Sequence, residues 1–125
     1  KTYPLCPSGL PGVQTILPLM LNFVNEGLID LPHLIQLMSV NPSQRFNLKG
    51  KGGIFVGQDA DFSLVDLKEK RRVDNKDMVN RSGWTPYHGE SFQGWPQATI
   101  IRGHKVMENG KVLKKIGKAL EFKSN

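Results

Sequence analysis

The sequence has a single cysteine, Cys6, so no disulfide can form within the chain. The absence of an internal disulfide fits a reducing compartment, and we therefore expect a cytoplasmic protein. No apolar run approaches the roughly 20 residues that a membrane-spanning helix needs. No charged, then apolar, then small-residue leader opens the sequence either. These features predict a protein that has no membrane partner.

Histidines are also few, and His33, His88 and His104 lie far apart, with no second histidine two or four positions away. A metal site needs several His, Cys, Asp or Glu side chains that converge. No serine lies in the Gly-x-Ser-x-Gly turn that exposes a nucleophile in many hydrolases. We therefore predict that these 125 residues contain neither a metal ligand nor a catalytic residue.

The chain carries 17 basic and 11 acidic residues, which give it a formal net charge of +6. A basic surface can attract nucleic acid. The basic residues are scattered, however, and the two densest runs, 68–72 and 111–118, contain no aromatic side chains. We interpret them as solvated surface and predict no nucleic-acid partner. A nucleic-acid-binding module remains a distant alternative, whose minimum support would be salt-dependent binding to DNA.

The first part of the chain is helical in pattern. Apolar residues follow helical spacing between residues 13 and 47, and we predict three short helices there. Thr15, Asp30 and Asn41 are the expected N-caps of these helices, because their side chains can accept hydrogen bonds from the first turn. Gly27 is expected to end the first helix.

From Lys49 onward the pattern changes to short strands and turns. We predict strands at residues 54–56, 62–66, 71–73 and 97–102, one helical turn at 75–78, and a hairpin at 106–112 around Asn109-Gly110. Neither half of the chain, at about 50 or about 75 residues, buries enough surface to be stable alone. Each half is therefore expected to complete a structure begun elsewhere.

Four groups of sequence motifs, taken together, are specific enough to indicate a protein family. They are PSGLPGVQTILPL at residues 7–19, NPSQRF at 41–46, GQDADF at 57–62, and GWTPYHG, GWP and IIRG within 83–103. In this order and spacing they resemble the C-terminal piece of dihydroorotases, which are metal-dependent cyclic amidohydrolases. The resemblance extends from Lys1 almost to Asn125. The Asp-Ala-Asp phrase alone would be a weak signal.

The resemblance implies an α/β fold: a metal-dependent (β/α)₈ TIM barrel with a small β-sandwich built from both chain ends. Residues 1–48 would form the last barrel loop and the C-terminal helices of the barrel. Residues 49–125 would form the C-terminal part of the sandwich and the tail. The residues then expected to face the barrel are Val13, Ile16, Leu17, Met20 and Val24, and those expected inside the small β domain are Phe62, Leu64, Ile100 and Val106.

The activity implied by the resemblance is the zinc-dependent, reversible hydrolysis of (S)-dihydroorotate to N-carbamoyl-L-aspartate in de novo pyrimidine biosynthesis. The zinc ligands of the family would all lie upstream of Lys1, so the 125-residue chain by itself is expected to be inactive. The implied partners are the remainder of its own polypeptide, a small cyclic amide substrate, and further copies in a homodimer or homotetramer.

Substrate contact is implied for Leu10, Pro11 and Gly12, at the mouth of the barrel. The glycine would let a ligand approach the backbone closely, although a tight loop that only leads into a helix is an equal alternative. Gln14 departs from a common Glu variant of this motif and leaves the subfamily open. The alternatives are a cyclic amidohydrolase of the allantoinase or dihydropyrimidinase type and a non-catalytic scaffold homologue. The residues upstream of Lys1 would distinguish them.

Overall fold

A computed structural model describes residues 9–123, so Cys6 lies outside the described residues.

The first helix starts where the sequence predicts. Helix α1 spans Ile16–Asn25 and begins after Thr15. The Thr15 side chain does not cap the helix, because its hydroxyl donates to the Gly12 carbonyl oxygen at 3.3 Å instead. After α1 the chain turns through Gly27, whose φ of +74° is of the kind that glycine adopts without strain.

The second helix also begins as predicted, and it is short. Helix α2 spans Leu31–Ile35. The Asp30 carboxylate caps it by accepting a hydrogen bond of 2.7 Å from the backbone N–H of His33. Pro32 occupies the first turn, where its missing N–H costs no helical hydrogen bond. These are local effects, which explains why the sequence alone predicts them.

The predicted N-cap at Asn41 is wrong, because the helical backbone continues through it. A π-helical turn, Gln36–Val40, joins α2 to helix α3, Asn41–Arg45. The backbone N–H of Asn41 donates to the Gln36 carbonyl five residues earlier. Pro42 has no N–H to donate, and in a regular helix its ring would crowd the carbonyl four residues earlier. The wider π turn immediately before Pro42 lets the helical path pass through the proline.

Among residues 9–123, four antiparallel strands form one sheet in the order β1-β2-β3-β4. They are β1 (Phe62–Arg72), β2 (Ser91–Ile101), β3 (His104–Glu108) and β4 (Lys111–Val112). Strand β1 unites the strands predicted at 62–66 and 71–73 through two irregularities in its pairing with β2. The described residues therefore form an α/β fold with an antiparallel sheet.

Two tight turns connect the last three strands. The turn at Asn109-Gly110 is confirmed, with φ of +47° and +79°, the two positive angles that a type I′ turn requires. A second turn of the same kind, at Arg102-Gly103, was not predicted; its φ angles are +46° and +77°. The strand predicted at 54–56 is wrong within this chain, since these residues form no strand and their side chains are 72–107% exposed.

The core lies where α1 packs on β2. Leu21 of α1 is 1% exposed, and it lies against Gly94 of β2. Side-chain amides flank this contact: the Asn22 Oδ1 atom accepts from the Gln93 N–H at 2.9 Å, and the Asn25 Nδ2 atom donates to the Gln93 carbonyl at 3.1 Å. The missing side chain of Gly94 lets the helix and the strand approach closely.

The apolar residues of α1 and of the turn before it differ in burial. Pro18 and Leu21 are buried. Val13 and Ile16, which are predicted to face a barrel, are 95% and 49% exposed within this chain. What covers that face stays a prediction, and so does the division of the chain at residue 48.

The residues predicted inside the small β domain differ in burial. Val106 is buried, and Phe62 and Ile100 are half-buried. Leu64 is 48% exposed on this chain. Over residues 9–123, no helix is long and apolar enough to cross a membrane.

The Asp-Ala-Asp phrase ties a loop to the sheet. The Lys51 ammonium lies 2.7 Å from the Asp59 carboxylate and also pairs with the Asp61 carboxylate. The other Asp61 oxygen accepts from the backbone N–H of Arg102 at 2.7 Å, and the Ala60 carbonyl accepts from the Gly103 N–H at 2.9 Å. These contacts join the loop before β1 to the turn between β2 and β3.

This pairing predicts a loss of stability in acid. Partial burial acts to raise the pKa of Asp61, but the hydrogen bonds from Lys51 and Arg102 outweigh it and hold that pKa below its usual value. A lowered folded-state pKa stabilises the fold above the unfolded pKa of about 3.9, and this stabilisation is lost as pH falls through the folded pKa. For a partly exposed ion pair we expect at most about 1 kcal/mol.

The measurement is a set of melting temperatures of the full-length protein and its Asp61→Asn variant between about pH 7 and pH 3. Asp61→Asn should melt a few degrees lower at neutral pH, and the two curves should converge at acid pH. Glu26→Gln neutralises an exposed carboxylate immediately after α1 and keeps an oxygen that can accept from the Asn22 amide, so its melting temperatures should stay close to those of the wild type throughout. A difference between Asp61→Asn and wild type that stays constant with pH would contradict the assigned ion pair.

Candidate functional site

The loop at residues 10–12 leads directly into α1. Leu10 is 72% exposed, and Pro11 and Gly12 are half-buried. The Gly12 carbonyl accepts from the backbone N–H groups of Thr15 at 3.0 Å and Ile16 at 2.9 Å. Thr15 is only 1% exposed, so the turn between the loop and the helix is fixed from within the chain. The structure thus places the three predicted substrate-contact residues together on one surface loop.

Gly12 has free space around its missing side chain. A Cβ atom built there would have no heavy atom of residues 9–123 within 4 Å, apart from its two chain neighbours, and the φ of Gly12 does not lie in the positive range that favours glycine. The need for glycine at this position therefore does not arise from the fold of residues 9–123. The described residues therefore leave room for a Cβ atom at position 12.

Gln14 fixes the loop to the strand half of the chain. Its Nε2 atom donates to the Asp77 carbonyl at 2.9 Å, and its Oε1 atom accepts from the Val79 N–H at 3.0 Å. Sequence reasoning marked Gln14 only as a departure from a Glu variant and missed this contact. Its partners lie 63 and 65 residues further along the chain, so no local pattern indicates them.

A groove of about 500 Å³ lies beside Gln14. Its lining includes Pro18 of α1 and Arg71 and Trp95 of the sheet. The Arg71 guanidinium lies 5.2 Å from the centre of the Trp95 ring, a distance at which a cation is attracted to the face of an aromatic ring. Arg71 also pairs with the Glu69 carboxylate. The Arg71 charge is therefore held by Trp95 and Glu69.

Metal-binding side chains are not clustered in the described part of the chain. Over residues 9–123, no group of three or more His, Cys, Asp or Glu is arranged to hold a metal ion. What this surface offers is an exposed loop, a fixed helix start and a groove lined by both apolar and charged side chains. Such an arrangement can contact and orient a ligand, but it supplies no activated nucleophile.

Comparison with known sequences identifies the family. The sequence profile of the Amidohydrolase family matches residues 13–107, and the chain belongs to this family. The dihydroorotase of Methanothermobacter thermautotrophicus is 37% identical over 112 residues, which are 90% of this chain and 26% of that protein. The dihydroorotase of Pyrococcus furiosus is 41% identical over 108 residues, 86% of this chain and 26% of that protein. The predicted resemblance is confirmed.

Other cyclic amidohydrolases are also similar. An allantoinase of Deinococcus radiodurans is 43% identical over 104 residues, 82% of this chain and 22% of that protein. Among solved structures, the L-hydantoinase (dihydropyrimidinase) of Arthrobacter aurescens has a TM-score of 0.82 and 35% identity, over 86% of this chain and 24% of that one. This chain therefore spans about a quarter of the length of the proteins it matches.

Proposed function

We propose that this chain is the C-terminal part of a zinc-dependent dihydroorotase, which hydrolyses (S)-dihydroorotate reversibly to N-carbamoyl-L-aspartate in de novo pyrimidine biosynthesis. The observation that carries the proposal is the 37–41% identity to archaeal dihydroorotases over 86–90% of the chain. The four groups of motifs found in the sequence support it. We place the enzyme in the cytoplasm, in keeping with the absence of an internal disulfide.

The chemistry requires groups that the described residues do not contain. A metal ion in such an enzyme polarises the amide carbonyl and lowers the pKa of a bound water. Residues 9–123 provide no ligand cluster that fits a metal. We therefore assign the zinc ligands to the remainder of the polypeptide, and to this chain we assign contact with the substrate through Leu10, Pro11 and Gly12.

The remainder of the polypeptide is also the proposed partner of the exposed apolar surface. Val13 is 95% exposed, Ile54 79% and Val56 107%. Exposed large apolar side chains are typical of a surface that another structure covers. A (β/α)₈ barrel would cover the face with Val13, and further strands of a β-sandwich would cover the loop with Ile54 and Val56. Assembly into a homodimer or homotetramer is part of the same proposal.

An allantoinase or hydantoinase is the second candidate. The 43% identity to the Deinococcus radiodurans allantoinase favours it, and so does the structural similarity to hydantoinases. The experiment is an assay of the zinc-loaded full-length protein on dihydroorotate, allantoin, dihydrouracil and 5-substituted hydantoins. The proposal expects dihydroorotate to have the highest kcat/KM. Preference for another ring would support the second candidate, and no turnover on any would indicate a non-catalytic homologue.

The role of the loop is tested by Gly12→Val in the full-length enzyme. Because a Cβ there has no heavy atom of the described residues within 4 Å, apart from its chain neighbours, we expect the fold to tolerate the valine and the substrate not to tolerate it. Loss of one backbone hydrogen bond to a neutral group costs about 0.5–1.5 kcal/mol, or roughly 2- to 13-fold in kcat/KM. Steric exclusion of the ring would increase this loss. Zinc content and melting temperature should stay near those of the wild type.

Gly117→Val is the matched control, since a Cβ at that position also has no heavy atom within 4 Å. Its kinetics should equal those of the wild type. Zinc content, melting temperature and kinetics are measured on one preparation of each variant. Normal kcat/KM per folded molecule of Gly12→Val would remove this loop from the substrate site.

A further inference from the structure

The side chain of Gln14 connects the loop to a segment distant in sequence. Both polar atoms of its amide are used, the nitrogen as donor to the Asp77 carbonyl and the oxygen as acceptor from the Val79 N–H. An exposed glutamine that was only solvated would not make two hydrogen bonds to the same backbone segment. The pairing therefore points to a role in holding two parts of the chain together.

The receiving segment has a shape that suits an amide. A short 3-10 turn, Asn75–Asp77, ends there, and Met78 is extended with φ −80° and ψ +123°. On either side of an extended residue, the preceding carbonyl and the following N–H point in the same direction, as they do toward a neighbouring strand. The Gln14 amide donates to the Asp77 carbonyl and accepts from the Val79 N–H, as the backbone of a neighbouring strand would.

The receiving segment is itself fixed by side chains. The Asp74 carboxylate caps the 3-10 turn by accepting from the Lys76 N–H at 3.0 Å. The Asn75 Oδ1 atom accepts from the Thr85 N–H at 2.9 Å, which ties the turn to the loop before β2. Gln14 is thus bound to an ordered part of the strand half.

Gln14 lies two residues after Gly12 and immediately before the buried Thr15. We propose that Gln14 is a positioning residue, which sets the Leu10–Gly12 loop against the substrate by binding the backbone on both sides of Met78. This inference rests on the proposed function, in which that loop contacts the substrate. Gln14 itself does not take part in the reaction.

The clamp uses one acceptor and one donor at position 14. A glutamate, the common variant of this motif, has the same shape and keeps an acceptor for the Val79 N–H, but its carboxylate has no donor for the Asp77 carbonyl. A methionine of similar length makes neither bond. Gln14→Glu should therefore keep part of the positioning that Gln14→Met loses, whereas a loss of packing alone would not follow the number of bonds removed.

The experiment compares full-length Gln14→Glu, Gln14→Met and wild type, assayed per folded molecule on the cyclic amide that the wild type hydrolyses best. Gln14→Met removes both bonds and should lose about 10-fold in kcat/KM, chiefly through KM, because a misplaced loop weakens substrate binding. Gln14→Glu keeps the acceptor for the Val79 N–H and should lose less than Gln14→Met. Gln36→Met, the same change at an exposed helical position, should match the wild type. Equal losses in Gln14→Glu and Gln14→Met would contradict the role of the two bonds.

Hydrogen exchange provides a readout that does not depend on activity. The Val79 amide should exchange faster in Gln14→Met than in the wild type, because its acceptor is gone. Unchanged exchange would overturn the clamp. An active wild type whose Gln14 variants keep normal kcat/KM would overturn the positioning role alone. A wild type that hydrolyses no cyclic amide would overturn the proposed function and, with it, the catalytic part of this inference.

Discussion

Replacing Gly94 with alanine is expected to lower the free energy of unfolding by about 4 kcal/mol, one of the two largest effects we predict. Gly94 has a φ of +101°, which side chains rarely adopt, and this strain costs about 1–3 kcal/mol. The added Cβ would lie 2.6 Å from the Cβ of Leu21, whose side chain is almost completely buried. Forcing an extra carbon into a packed contact costs another 1–3 kcal/mol or so. The helix would have to move away from the strand.

The measurement is denaturant unfolding of the full-length protein, with Gly103→Ala as the control. Gly103 has a similarly positive φ of +77°, but a Cβ there has no heavy atom within 4 Å. The control therefore reports backbone strain without overpacking, and it should cost only about 1–2 kcal/mol. Equal losses in the two variants would mean that the close approach of α1 to β2 contributes nothing to stability.

The second large effect is the complete loss of turnover when the 125-residue chain is separated from the remainder of the proposed enzyme. Residues 9–123 contain no group of three or more His, Cys, Asp or Glu arranged to hold a metal, and we expect the groups that activate the attacking water to lie elsewhere in the proposed enzyme. We expect the purified chain with added zinc to consume dihydroorotate no faster than buffer does. The full-length protein, assayed in parallel, provides the positive control.

Zinc content separates the possible causes of this inactivity. The separated chain should bind no stoichiometric zinc, and full-length protein stripped by a chelator should regain activity when zinc is restored. Turnover that copurifies with the separated chain and follows its zinc content would show that the assignment of the metal ligands is wrong. The test thus shows whether the metal ligands lie in this chain or in the remainder of the polypeptide.

Several elements could be predicted because short-range forces specify them. Asp30 caps α2 through a bond to a residue three positions away, and Asn109-Gly110 forms its turn because those two residues tolerate positive φ. The failures have non-local or competing causes. Asn41 has every local sign of an N-cap, but the π turn before it lets the helix continue through Pro42.

In the candidate site, too, some features were predicted from the sequence and others came only from the structure. Leu10, Pro11 and Gly12 were predicted from the family resemblance alone, and their contact with substrate stays a prediction. The structure added that the Gly12 carbonyl is fixed by the first turn of α1 and that the position of its missing side chain is open. It also added Gln14, which local pattern did not distinguish from an ordinary exposed glutamine.

The sequence by itself determined the family, the starts of α1 and α2, and the hairpin between β3 and β4, because each depends on neighbouring residues or on a motif in linear order. Only the tertiary structure decided that Leu21 packs against Gly94, where the missing side chain leaves room for it, and that Gln14 binds the backbone of Asp77 and Val79. These contacts join residues more than 60 positions apart. Such pairs come into contact only when helix and sheet pack together. The local propensity of a single segment does not specify these contacts.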